Sequence, residues 1–456
     1  MNPSKRALSG YAIAEAGIVA AEVLIQLYLL KFYTDVVGLR SDFAGYALAL
    51  AVVWDAVSDP WMGAISDRTR FGSGRRRMYI LAGGILLGLT LPLLFNPPEL
   101  DSQAAKFGFL LFSYILVNTS TTILAVPHSA FGGELSSDSK TRTLIVGFRL
   151  LFGNVGLLAG TLLPGLILAT GRTQPDPKSL AALWLAIPVG LSGFITFVST
   201  RGLDRPGNNS GEWNVLGDVT GLRKNRPFLI LFCALLVATI GRTVNSSLAL
   251  FYYDRRLHLS EQDVVLYVLG LFILTISFSI PFWVWMSAKM GKIPAAAVGI
   301  LLLGLMTTIG YPLFPAYDLR GPLMAAFIGG IAVGSIVLLE SLLADIVDFD
   351  RLKSGKRREG LYFGVWKMGA KASRAIGLAL SGILLQWTGI DSGSIGAAIA
   401  ISPEETGFRL ALLFGPFVGM FFLAGAALLL LLPYGRVVHE RVQALLARRE
   451  TRRAAP

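Results

Sequence analysis

The sequence predicts an all-α membrane protein whose twelve spanning helices fall into two groups of six. Three observations lead there: an apolar excess beyond what a soluble core needs, a series of long apolar runs, and cations confined to alternate connections. Of the 456 residues, 54% are hydrophobic and 15% charged, with a mean hydropathy of +0.61, whereas soluble domains carry roughly 25% charged residues. Runs of about 20 apolar residues, enough to cross the hydrocarbon core as helix, fall near residues 11–33, 43–65, 77–97, 105–127, 144–170, 180–200, 228–253, 262–287, 293–314, 321–344, 361–390 and 407–433. A soluble enzyme of this length would not contain them.

The first run starts directly after MNPSKR and passes Tyr28 without a small-residue cleavage site, which makes it a retained helix and not a removed signal peptide. Lys and Arg gather at Lys5 and Arg6, from Arg68 to Arg77, at Lys140 and Arg142, from Arg201 to Arg226, at Lys289 and Lys292, from Arg351 to Arg358, and in the tail from Arg436 to Arg453. Roughly 27 cations lie on these connections and about six on the others, the asymmetry of the positive-inside rule. Both termini are therefore expected in the cytoplasm of a cell whose inner membrane holds the chain. The net charge of +12 needs no nucleic acid to explain it.

An even number of spans and a long polar connection near Ser199 to Pro227 divide the chain into a first half (1–200), a linker (201–227), a second half (228–435) and a basic tail (436–456). The connection GAISDRTRFGSGRRR in the first half has a faint echo in WMSAKMGKIP in the second. Paired halves around a polar midplane site are the build of many secondary transporters. No G-x-x-x-x-G-K-[ST] loop occurs, so a gradient and not ATP is expected to supply the energy. The single cysteine, Cys233, excludes an internal disulfide and a Cys-based metal cluster, and reads as a packed helix residue.

An ionisable group inside a span costs about 2.5–3.5 kcal/mol, so it faces a cavity or a partner. Those groups are Glu15 and Glu22 in the first span, Asp55 and Asp59 in the second, Arg149 in the fifth, Arg242 in the seventh, Glu340 in the tenth, and Lys367, Lys371 and Arg374 in the eleventh. Asp55 and Asp59 are one helical turn apart and share a face with Ser58. Two such carboxylates either hold a small cation (Na⁺, Li⁺) as hard oxygen ligands or share a proton; the plain alternative is pairing with Arg149 or Lys371. That makes Asp55, Asp59 and Ser58 the candidate cation site, with the two aspartates as its metal ligands.

Glu15, Glu22 and Gln26 lie on one stripe of the first helix. They join Trp54, Arg149, Arg242, Asn245 and Lys371 as candidate solute contacts, with pairing of the glutamates to Arg149 or Arg242 as the structural alternative. Asp67, among the cations of SDRTRFGSGRRR, reads with Arg75 as a clasp at the cytoplasmic end. ADIVDFDRLKSGKRREG, with Asp345 and Asp348, reads as its counterpart in the second half.

The segments KFYTDVVGL, WDAVSDPWMGAISDRTR with RRR after it, VPHSAFGGELSSDSKTRT leading to Arg149, and ADIVDFDRLKSGKRREGLYFGVW followed by Lys371 resemble the glycoside-pentoside-hexuronide:cation symporters of the major facilitator superfamily. The resemblance implies a major facilitator fold of two six-helix halves, cation binding by Asp55 and Asp59 with Lys371 beside them, and Arg149 in the central cavity. Sugar-binding members carry an Asp in the first and fourth helices, at positions that read Val19 and Ala125 in this chain. Glu15 or Glu22 can replace one of these; His128 replaces neither. Once a Na⁺ or H⁺ neutralises the aspartate pair, Arg149, Arg242 and Lys371 face only two glutamates, a surplus that an anionic solute would satisfy. The expected function is cation-coupled symport of a sugar or glycoside, such as a hexuronide or sulfonated sugar, by a monomer in the lipid bilayer without a further cofactor. A lysophospholipid transporter of the same fold is the alternative.

Overall fold

A computed structural model describes residues 4–69, 76–135, 139–203, 222–223, 225–354, 358–390, 402–435, 438, 441–442 and 444–445. Arg75, most of the expected linker and most of the basic tail lie outside them. Among the described residues there is no strand, and twelve helices are long and apolar enough to cross a membrane: α1 (Lys5–Val36), α2 (Ser41–Arg68), α3 (Arg77–Phe95), α4 (Gln103–Glu134), α5 (Leu144–Ala169), α6 (Pro177–Ser199), α7 (Arg226–Arg256), α8 (Glu261–Met290), α9 (Lys292–Leu313), α10 (Arg320–Ser354), α11 (Gly360–Thr388) and α12 (Pro403–Leu430). Several run past the apolar windows read from the sequence, α4 and α10 by a turn or more. Hydropathy marks the part that crosses the hydrocarbon, whereas a helix continues wherever its backbone bonds do.

The ends are set locally. The Ser4, Ser102 and Asp176 side chains cap α1, α4 and α6 by accepting from the backbone N–H of Ala7, Ala105 and Lys178. Between α1 and α2 the chain turns at Gly38, whose φ of +69° is open to glycine. Gln103 of α4 holds this turn from both sides, accepting from Arg40 N–H and donating to the Gly38 carbonyl, each at 2.9 Å.

The chain packs as two units, one of Met1–Ser210, Ser246–Gly270 and Leu378–Leu410, the other of Gly211–Asn245, Leu271–Gly377 and Ala411–Pro456. In the first, helices meet through small residues. A Cβ on Gly156 or Gly160 of α5 would strike the carbonyl oxygen of Ala16 or Ala20 on α1. Gly84 of α3 lies against Gly193 of α6, where an added Cβ would meet the partner's Cα at 2.9 Å. The second unit repeats the device: Gly330 of α10 lies on Thr275 of α8, and Gly304 of α9 on Leu423 of α12. Lipid tails are as apolar as leucine, so helices associate through such close approach and not through hydrophobic expulsion from water. For the same reason apolarity does not mark packing: Cys233 is exposed on α7, where the sequence suggested a packed position.

The ends of α1 and α7 share an irregular feature. Both finish in one π-helical turn, Phe32–Val36 and Tyr252–Arg256. In both a leucine N–H then bonds back to a tyrosine carbonyl, Leu39 to Tyr33 at 2.9 Å and Leu259 to Tyr253 at 3.0 Å. Gly38 and His258 occupy matching positions with φ of +69° and +53°. KFYTDVVGL and FYYDRRLHL are thus two copies of one device, a clearer internal repeat than the one read from the connections.

Gly160→Leu is expected to force α5 off α1 and to destabilise the protein by about 1–3 kcal/mol, the usual range for overpacking. A lowered thermal transition in detergent, with Gly108→Leu unchanged because a Cβ there meets nothing within 4 Å, checks it.

Candidate functional site

Asp55 and Asp59 lie on one face of α2, half-buried. Thr122 of α4 faces both: its hydroxyl is 2.9 Å from Asp55 Oδ1 and 3.0 Å from Asp59 Oδ1. One hydroxyl carries one hydrogen, so it cannot donate fully to two carboxylates at once. A cation or a proton placed between the two carboxylates would have the Thr122 oxygen lone pairs within reach. Ser58 Oγ turns to its own helix, donating to the Asp55 carbonyl at 3.2 Å. Trp54 Nε1 donates to Thr119 Oγ1 at 2.9 Å, which ties the same stretch of α2 to α4. No group of three or more His, Cys, Asp or Glu side chains suited to a metal occurs among the described residues, so any metal at this pair would draw on the hydroxyl and other oxygens. That chemistry fits a weakly bound alkali cation better than a resident transition metal.

Thr122 was absent from the sequence-based candidates. The signal was present: NTSTT, residues 118–122, is a five-residue polar band inside an apolar span. It was overlooked because uncharged hydroxyls do not register as intramembrane cost.

Glu15 of α1 accepts from Arg149 of α5, Nε and Nη2 each 2.8 Å from Oε2. Arg149 is thereby committed to Glu15. Gln26, lower on the same stripe, donates to Ser246 Oγ at 3.3 Å, and Glu22 is exposed. Arg242, Asn245 and Lys371 belong to the second unit. There Arg242 of α7 is exposed, Arg374 of α11 is close enough to repel it, and no hydrogen bond or ion pair to Arg242 is formed among the described residues.

At the face opposite the N-terminus, the repeated π turns carry charges that sequence reasoning missed. Lys31, 5% exposed, donates to Asp35 at 2.8 Å and to Asp254 at 2.6 Å. Arg255 stands 3.6 Å from Asp35. In the same unit Lys178 at the start of α6 pairs with Glu261 at the start of α8 at 2.8 Å. The i, i+4 pair in KFYTD was visible in the sequence, but its partner more than 200 residues away was not.

At the other face Asp67, ending α2, pairs with Arg76 at 2.6 Å, and Glu134, ending α4, joins Arg76 at 3.2 Å. In the second unit Lys292, beginning α9, holds both oxygens of Asp345 at 2.7–2.8 Å, and Tyr434 donates to the Asp345 carbonyl at 2.9 Å. Asp348 is half-buried one turn on.

Twelve helices long and apolar enough to cross a bilayer define a multi-pass membrane protein. The family model for MFS/sugar transport proteins matches residues 10–436. The chain belongs to that family, the melibiose-permease-like group that its motifs resemble, and is a transporter and not an enzyme. It is 23% identical over 403 residues to the isoprimeverose transporter of Lactiplantibacillus pentosus, covering 87% of this chain and 83% of that one. To a glucuronide carrier protein homologue of Escherichia coli strain K12 it is 25% identical over 414 residues, covering 89% of each. To the sodium-dependent lysophosphatidylcholine symporter 1-A of Danio rerio it is 23% identical over 447 residues, covering 88% of this chain and 81% of that one. Among solved structures, a bacterial homologue of the human lysosomal transporter Spinster superposes with a TM-score of 0.64 over 98% of both chains at 14% identity. That likeness establishes the major facilitator fold and nothing about the solute.

Because Arg76 has two carboxylates, Asp67→Ala leaves it Glu134, and Glu134→Gln leaves it Asp67. The double variant should lose about 0.5–3 kcal/mol more than the sum of the single losses, as groups sharing one partner do. Thermal unfolding of the four proteins measures the difference, and additive losses would show that the two carboxylates act independently.

Proposed function

We propose that this transporter couples the entry of a cation, Na⁺ or H⁺ with Li⁺ as a substitute, to the uptake of a sugar-like, anionic solute. Asp55, Asp59 and Thr122 bind the cation, and the Thr122 hydroxyl set within hydrogen-bond distance of both carboxylates is the observation that carries this reading. Ser58 contributes through its backbone contact to Asp55 more than as a ligand. The halves 1–200 and 228–435 rock to give alternating access, with both termini in the cytoplasm and the monomer as the working unit. Charge clusters on each face support such rocking, since ion pairs at helix ends can break on one side as they form on the other.

Arg242 supports an anionic solute. A guanidinium with a like charge beside it gains from a carboxylate or sulfonate that accepts two hydrogen bonds. Glu22, Gln26, Trp54, Asn245 and Lys371 are the further proposed solute contacts, and Asp67, Arg75, Asp345 and Asp348 the gating residues.

Asp59→Asn should abolish cation-driven accumulation in proteoliposomes while leaving solute exchange without a gradient. Thr122→Val should weaken cation dependence, and Thr122→Ser should restore it. Full accumulation by both Asp55→Asn and Asp59→Asn would sink the cation site.

Solute charge is tested on a matched pair, a glucuronide and the corresponding neutral glucoside. Arg242→Gln should weaken binding of the glucuronide by about 1.5–3 kcal/mol, the worth of a hydrogen bond to a charged group, and barely change the glucoside. Calorimetry on purified protein reads both. Equal wild-type affinity for the two sugars, or transport of a lysophospholipid in place of either, would overturn the anionic-sugar reading.

A further inference from the structure

His128 of α4 is a titratable side chain that the proposed transport mechanism leaves unused, and it is fully enclosed, with 0% exposure. Its ring is stacked on Tyr11 of α1 at 4.3 Å, and Tyr11 Oη donates to the His128 carbonyl at 2.9 Å, so the imidazole cannot easily turn. Both ring nitrogens face acceptors. Nε2 lies 2.9 Å from the carbonyl oxygen of Tyr11, and Nδ1 lies 3.4 Å from Glu15 Oε2. Among the described residues nothing hydrogen-bonds Nδ1.

A neutral imidazole has one N–H and one lone pair. The Tyr11 carbonyl can only accept, so the hydrogen sits on Nε2 and the Nδ1 lone pair points at the Glu15 carboxylate. The other tautomer moves the same conflict to Tyr11. One added proton between Nδ1 and Oε2 turns the repulsion into a charge-assisted hydrogen bond. What opposes that proton is first the complete burial of the imidazole and then Arg149, which donates twice to the same Oε2. The charged and titratable groups around the ring are thus Tyr11 and Glu15 from α1 and Arg149 from α5, with Ser129, a neighbour on α4, 3.4 Å from Arg149 Nη2.

We propose that Glu15 and His128 form a proton-binding site that fills when Arg149 leaves Glu15, so that an anionic solute drawing on Arg149 takes up a proton with it. The proton comes from water through Glu15, which keeps 20% of its side chain exposed, and returns to water when Arg149 rebinds. Solute and proton then bind cooperatively, because each removes the other's competitor. This site shares no residue with the aspartate pair. Its place in transport rests on the proposed symport of an anion; its proton chemistry does not.

The experiment removes the competing cation. In Arg149→Gln the pair should hold a proton above the pH at which an unfolded histidine, with a pKa of about 6.5, would bind one. A group whose native affinity for a proton is raised stabilises the fold below that pH, and the contribution fades as pH rises through the native value. The thermal transition of purified Arg149→Gln should therefore climb relative to wild type as pH falls from about 9 to about 6. Adding His128→Asn should abolish the climb. Adding Glu15→Gln instead, whose amide presents an N–H to Nδ1, should raise stability without pH dependence and serves if the asparagine variant does not fold.

Parallel curves for wild type and Arg149→Gln would overturn the site. In a second arm, phenyl glucuronide added to weakly buffered wild type should be accompanied by uptake of about one proton per protein bound, absent in His128→Asn. Glucuronide binding without proton uptake would also overturn the proposal. No glucuronide binding would instead strike the anionic-solute reading, while the solute-free pH curves still decide whether the proton site exists.

Discussion

A carboxylate in a span has no water to pay its desolvation, so it must be met by a donor from somewhere else in the fold. That constraint organises the first unit. Asp55 and Asp59 on α2 meet the Thr122 hydroxyl of α4. Glu15 on α1 meets Arg149 of α5, and Lys31 gathers Asp35 and Asp254 from the ends of α1 and α7. Each contact joins different helices or distant segments, so the satisfaction of charge and the docking of helices are one event. The small residues at Gly156, Gly160 and Gly84 bring the backbones close enough for these side chains to reach.

The repeated end of α1 and α7 shows the constraint acting on the backbone. A π turn places one more residue in the coil than an α turn holds, and such insertions gather at functional places in helices. In α1 the following left-handed position is Gly38, which takes it freely; in α7 it is His258, for which φ of +53° is unfavourable. The two turns bring Asp35 and Asp254 onto one lysine. An internal repeat of this kind also fits a transporter built from related halves.

Much of the fold was legible because membrane crossing is written in composition. Twelve windows of about 20 apolar residues leave little freedom, and the structure has twelve spanning helices at those places. The candidate site was legible in part. Asp55, Asp59, Glu15 and Arg149 were marked by the cost of charge in lipid, and Glu15 with Arg149 was among the pairings considered. Thr122 and His128 escaped, the first because a hydroxyl carries no charge and the second because its meaning lies in Tyr11 and Glu15, more than 100 residues away. Lys31 escaped because its stretch looked like a helix end. Long-range partners are set by helix packing, which a single sequence does not state.

The pairing of Glu15 with Arg149 also changes the reckoning of charge on which an anionic solute was first argued. Counting residues set three cations against two glutamates once the aspartates were neutralised, yet Arg149 is already held by two hydrogen bonds to one carboxylate oxygen. It becomes available only if something else takes its place on Glu15. Arg242, with Arg374 repelling it, has no such carboxylate among the described residues. Under the proposed symport of an anion the two arginines therefore differ in kind: Arg242 would be a standing attraction for it, whereas Arg149, held by Glu15, would be a conditional one whose release must be matched by another positive charge at Glu15. A fixed attraction alone would bind solute equally well in every state and move nothing against a gradient. A conditional one makes binding depend on a second ion, and that dependence is what coupled transport needs.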